Sequence, residues 1–117
     1  MPVLIVEDDA PVRDLLCELL SEKYACVAVA TAEEALGLLS RRRFDLMLTD
    51  LNLPGMNGFE LTRRASESRP DMRVIVITGE PVDGRLWWSA LGVFAYLTKP
   101  LELAEVERLV ALAATRP

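Results

Sequence analysis

The chain contains no histidine among its 117 residues. That absence excludes a Ser-His-Asp or Cys-His triad and a histidine-ligated zinc site, and it leaves oxygen donors, which suit Mg2+ or Mn2+. Cysteine is scarce as well. Cys17 and Cys26 form no CxxC pair and lie in apolar segments, so both read as reduced packing residues. No apolar run approaches the ~20 residues needed to span a bilayer. Met1-Pro2 leads into a strand-like run without a basic region or small-residue cleavage site, so a soluble cytoplasmic protein is expected, with no membrane partner. Basic residues are outnumbered, 13 Lys and Arg against 18 Asp and Glu, for a net charge of −5. Nucleic acid is therefore a poor direct partner, because phosphate backbones reward clustered cations. The one basic cluster, Arg41-Arg42-Arg43, sits where a helix is expected to end and complements its dipole there.

What is present has a globular balance, 51% hydrophobic and 26% charged, and a length that fits one domain over residues 1–117. A chain of this size buries roughly two-thirds of its unfolded surface, enough for a core of its own. Strand and helix patterns alternate along it. Strands are expected at 2–6, 25–30, 44–49, 73–78 and 93–97. A first helix over about 11–21 has Pro11 in its first turn and Val12, Leu15, Leu16, Leu19 and Leu20 on one stripe. Thr31 opens a second helix, with Glu34 at capping-box spacing and Ala35, Leu36 and Leu39 inward. Asn57 caps a third, through about Ser68. A fourth is expected at about 83–91 despite Gly84, and a fifth after Pro100 buries Leu103, Val106, Leu109, Val110 and Ala113. The β-branched run at 73–78 suits a central strand covered on both faces. Such alternation implies an α/β fold, a doubly wound parallel sheet with right-handed crossovers and helices on both faces.

In sheets of this kind ligands bind at the carboxyl ends of the strands. The first strand runs into Glu7-Asp8-Asp9, the third into Asp50, the fourth into Thr78 and the last into Lys99-Pro100. Carboxylates, a hydroxyl and an ammonium thus converge on one edge, a layout suited to phosphoryl transfer. One pair of like charges ~4 Å apart costs roughly 4 kcal/mol at an effective dielectric near 20, so clustering Asp8, Asp9 and Asp50 calls for a cation. Mg2+ suits such a cluster, since it accepts carboxylate, carbonyl and phosphate oxygens while keeping several waters. Helix capping is the competing role for Asp8 and Asp9; with Pro11 at the first helical position, that cap falls on Ala10.

Four segments together resemble the receiver domains of two-component response regulators: Asp8-Asp9, the run Leu48 to Gly58, Thr78-Gly79, and Tyr96 to Pro100. The resemblance covers essentially the whole chain and implies a flavodoxin-like five-stranded sheet in the order 2-1-3-4-5. It implies that Asp50 accepts a phosphoryl group, that Asp9, Asp50 and the Asn52 backbone carbonyl bind Mg2+ directly, and that Asp8 contributes through water. Lys99 would hold a phosphoryl oxygen, aimed by a cis Lys99-Pro100 bond. Thr78 and Tyr96 would form the switch, while Asn52 and Glu80 would tune autodephosphorylation. The domain would be a regulator that assists its own phosphotransfer rather than an enzyme acting on outside substrates. Having no histidine, it requires a separate donor: a histidine kinase, a phosphotransfer protein or a small phosphodonor.

The segment Glu80 to Trp88 departs most from the family pattern, which is commonly alanine-rich and less aromatic here. The face formed by the fourth helix, the last strand and the last helix is the expected surface for a downstream partner or homodimer, with Trp87 or Trp88 as anchor. Two other readings stand beside the phosphorylation switch: a receiver-like interaction module that works without phosphorylation, and a metal-dependent phosphatase. The full acidic, Thr and Lys set disfavours the first, and the lack of any insertion to build a lid disfavours the second. The chain reads either as a single-domain regulator or as a part of a larger regulator or hybrid kinase.

Overall fold

Strands β1 (Pro2–Val6), β2 (Ala25–Val29), β3 (Leu46–Asp50), β4 (Arg73–Thr78) and β5 (Ala95–Thr98) form one sheet in the order β2-β1-β3-β4-β5, every neighbouring pair parallel. The structure is a computed structural model and describes residues 1–79 and 92–115. Among these residues the helices are α1 (Ala10–Ser21), α2 (Ala32–Leu39), α3 (Gly58–Ser68) and α4 (Leu103–Ala114). The helix expected at about 83–91 lies outside the described residues, as do Glu80, Trp87 and Trp88.

The period of two along the strands sorts their side chains onto two cores. On one face Leu4, Val6, Met47, Val74 and Val76 meet Ala35 and Leu39 of α2 and Leu61 and Ala65 of α3. On the other, Val3, Ile5, Leu46, Leu48, Ile75 and Ile77 meet Leu16 and Leu20 of α1 and Val106 and Val110 of α4. β3 is buried along its whole length because it is covered on both faces, whereas β2, at the sheet edge, is half-buried over most of its length.

The helix faces are narrower than their apolar patterns suggest. Leu15, placed on the stripe of α1 by its spacing, is 44% exposed, because Leu16 and Leu20 one turn apart take the contact and Leu15 lies about 100° round the axis. Leu103, expected inside the last helix, is 37% exposed at its first residue. The arginine cluster falls past the last turn of α2, which ends at Leu39 with Ser40 as its cap. There the Arg41 and Arg42 amides donate to the Leu38 carbonyl, and the Arg42 guanidinium lies over the Phe44 ring, 5.3 Å from its centre. The cluster thus directly follows the carboxyl end of α2, as expected, though no arginine lies within its last turn. Thr31 caps α2 as expected: its hydroxyl accepts from the Glu34 amide at 3.1 Å and donates to the Glu34 carboxylate at 3.1 Å. Asn57 caps α3 through the Glu60 amide at 2.9 Å. Cys17 and Cys26 are free and half-buried, and burial raises the Cys26 thiol pKa. Among the described residues no helix is long and apolar enough to cross a membrane.

Candidate functional site

The register decides which residues meet. Val6 lies opposite Thr49, Asp50 opposite Ile77, and Thr78 opposite Thr98. The residues just past β1, the last residues of β3 and β4, and the residue just past β5 therefore share the carboxyl edge of the sheet. Asp50 is 2% exposed. Its Oδ1 accepts from the Asn52 backbone amide at 2.8 Å, and its Oδ2 accepts from Lys99 Nζ at 2.5 Å.

Lys99 also reaches Glu7, with Nζ 3.1 Å from Oε1. Glu7 is fully buried, and its other oxygen accepts from the Asp9 amide at 3.2 Å. Burial is the main force pushing the Glu7 carboxyl up to about 7; the neighbouring Asp50 adds to it, while the Asp9 amide and Lys99 pull the other way. For Lys99, burial is the largest single influence and acts to lower its pKa, yet the carboxylates of Asp50 and Glu7 together hold it above the usual lysine value. One ammonium is thus shared between two buried acids.

Asp8 completes an acidic group. One carboxylate oxygen each from Glu7, Asp8 and Asp50 lies within 4.8 Å of the others. Two of these acids are buried, and Asp8 is exposed, which gives access from solvent. Asp8 and Asp50, joined by Glu7 when it is ionised, outnumber the one lysine, so the oxygen donors fit a hard divalent cation such as Mg2+ or Mn2+.

Asp9 stands elsewhere. It is the N-cap of α1, its side chain accepting from the Val12 amide at 3.4 Å, so the expectation that Ala10 caps this helix is corrected, and the acids gathered beside Asp50 are Glu7 and Asp8. The reason lies in the helix start. Proline is tolerated throughout the first turn, where amides have no intrahelical partner, and α1 begins at Ala10, one residue before Pro11. The signal for Glu7 was present in the sequence: the apolar run stops at Val6, so Glu7 is the first residue past the strand end.

Other expected residues fall as follows. Thr78 ends β4, 4% exposed, and its carbonyl accepts from the Lys99 amide at 2.8 Å, tying the two strand ends together. The Lys99-Pro100 peptide bond is cis. Tyr96, on β5, is 52% exposed. Asn52 is exposed, and its backbone amide is the group that meets Asp50. Gly58, a turn residue by its sequence, has a further role. A Cβ there would stand 2.0 Å from the Asp50 carbonyl oxygen and 2.7 Å from Leu51 Cα, so only glycine lets the start of α3 abut the backbone of Asp50.

A family model described as the response regulator receiver domain matches residues 3–111. The chain belongs to that family. This receiver domain is 38% identical over 111 residues to the response regulator protein FleR of Pseudomonas aeruginosa, an alignment covering 93% of this chain and 24% of FleR. It is 36% identical over 112 residues to the transcriptional regulatory protein PmrA of Pectobacterium parmentieri, covering 94% of this chain and 50% of PmrA. The chain therefore spans between about a quarter and half the length of these relatives. Among solved structures, the non-phosphorylated HemR receiver domain from Leptospira biflexa superposes with a TM-score of 0.89 at 32% identity, covering 99% of this chain and 97% of that one. Membership in the family is consistent with a place in two-component signalling.

Proposed function

We propose that this receiver domain is a phosphorylation-dependent switch that takes a phosphoryl group onto Asp50. The observation that carries the reading is the state of that carboxylate. It is buried at the sheet edge, with one oxygen on a backbone amide, the other on Lys99, and two further acids within 4.8 Å. The Asn52 amide is fixed by the chain, whereas Lys99 is a flexible side chain. Oδ2 is thus the oxygen that is freed for attack when the ammonium moves to a phosphoryl oxygen. The bond formed joins Asp50 Oδ2 to phosphorus, and the bond broken joins phosphorus to the donor's imidazole nitrogen or to the acyl oxygen of a small phosphodonor.

Asp8 and Asp50 would hold Mg2+ or Mn2+ with the Asn52 carbonyl, and Glu7 would complete the acidic surround. Such an ion offsets the repulsion between an anionic acceptor and an anionic phosphoryl group. Lys99 carries the remaining compensation as a compact point charge. Asn52 lies beside the acceptor and exposed to solvent, where its side chain would tune water's access to the phosphorylated residue. The donor would be a histidine kinase or phosphotransfer protein, and the domain would act in the cytoplasm. The output would be a shift of an existing equilibrium in which Thr78 and Tyr96 move inward and remodel the surface of β5 and α4. Tyr96, Leu103 and Leu112 on those elements, with Phe94 just before β5, leave apolar area exposed, suited to a downstream protein or a second copy of the chain.

The switch is tested by adding beryllofluoride with Mg2+ and following backbone amide resonances. Shifts are expected at Thr78, Tyr96 and along α4 in the wild type and none in Asp50→Asn. An unresponsive wild type, or a variant that responds equally, would remove the reading.

A further inference from the structure

The acidic turn after β1 must hold Asp8 against its own repulsion. Asp8 is exposed, so packing does not fix it, and it faces two buried acids. Glu7 is tied to β2 through its amide, which donates to the Val29 carbonyl at 3.0 Å, and Asp9 is tied to α1 as its cap. Between them a side chain from α1 crosses back over six residues. Arg13 Nη1 donates to the Glu7 carbonyl at 2.9 Å and lies 3.5 Å from the Asp8 carbonyl. Arg13 is half-buried, and its own backbone amide closes the first helical turn on the Asp9 carbonyl at 2.9 Å.

We propose that Arg13 is a positioning residue for cation binding, bracing the main chain of Glu7 and Asp8 so that the Asp8 carboxylate stays within reach of Asp50. The proposal rests on the cation-site reading above. A guanidinium suits the task because both contacts come from one nitrogen, Nη1, whose two N–H bonds are held in the rigid guanidinium plane, whereas the donors of an ammonium rotate freely. Partners that orient metal ligands in this way commonly change metal affinity by 10- to 100-fold when removed.

Charge alone predicts the opposite sign. A cation beside an acidic cluster repels an incoming divalent ion, so if Arg13 acted only through its charge, removing it would tighten binding. If Arg13 acts by holding the turn, removing it weakens binding. The direction of the change therefore separates the two roles.

The test is Mn2+ titration, read by the paramagnetic resonance signal of the free ion, on wild type, Arg13→Gln, Arg13→Lys and Asp8→Asn. It is paired with amide hydrogen exchange of the metal-free proteins. Arg13→Gln is expected to bind Mn2+ about tenfold more weakly, with faster exchange confined to residues 7–13, and Arg13→Lys to fall between it and wild type. Glutamine keeps helix propensity, and the lysine variant decides the matter if the glutamine variant does not fold. Equal or tighter binding in Arg13→Gln, with wild type binding and Asp8→Asn not, overturns the role of Arg13 and leaves the site standing. A wild type that takes up no Mn2+ overturns the site reading and this inference with it.

Discussion

Lys99 stands between two buried carboxylates, and the balance of charge around it makes opposite predictions for its two partners. Replacing Glu7 by Gln removes a fully buried acid whose ionised form is disfavoured, and leaves Lys99 paired with Asp50 alone. The metal-free variant should melt a few degrees higher than wild type, since about 1 kcal/mol moves the midpoint by roughly 4 °C in a domain of this size. Replacing Lys99 by Gln leaves Glu7 and Asp50 facing each other with no cation, and should lower metal-free stability by about 1–3 kcal/mol. Thermal unfolding in chelator checks both, and changes of the same sign would contradict the shared ion pair. At this scale Asp50, Asp8, Thr78 and Lys99 were legible because each is a polar residue terminating, or just following, an apolar run. Glu7 was misjudged because three consecutive acids leave the choice of pair to the register, and the register depends on where the strand ends and α1 begins.

Among the elements, the start of α1 carries the clearest consequence of that one-residue difference. Asp9→Ala should cost about 0.5–1 kcal/mol through the lost cap, Asp9→Asn should be close to neutral because asparagine also caps, and both should keep cation affinity. Asp8→Asn should do the reverse, keeping stability and losing affinity, as a thermal melt with and without Mg2+ would show. α3 offers a pH prediction. The guanidinia of Arg63 and Arg64 hold the Glu60 carboxyl down to about 2, against 4.5 unperturbed. A depressed folded-state pKa contributes stability above the unfolded value, and that contribution is lost as pH falls through the folded value. Glu60→Gln should therefore narrow the difference in melting temperature between pH 5.5 and pH 2, and an unchanged difference would show the pairs to be energetically silent. The caps at Thr31 and Asn57 were readable because capping chemistry is local. The exposure of Leu15 and Leu103 was not, since which part of an apolar face touches the sheet is set by docking rather than by spacing.

For the whole molecule, alternation of strand and helix dictated a parallel sheet, and the β-branched run at 73–78 placed β4 inside it. Periodicity alone does not order strands; the order β2-β1-β3-β4-β5 followed only from resemblance and is seen directly in the pairing. That order matters functionally. It sets β1 and β3 side by side, so that Glu7, Asp8 and Asp50 meet, and puts β4 and β5 next in line, so that Thr78 and Lys99 join the same edge and lead on to Tyr96. In the sheet, β3 with Asp50 and β5 with the exposed Tyr96 are separated by β4 alone. The central claim is that this edge receives a phosphoryl group on Asp50. It is tested most directly by intact-mass measurement after incubation with acetyl phosphate and Mg2+, followed by peptide mapping of the modified chain. The account predicts the added mass of one phosphoryl group on wild type, located on Asp50, dependent on Mg2+ and absent from Asp50→Asn. An unmodified wild type, or the same added mass on Asp50→Asn, would contradict it.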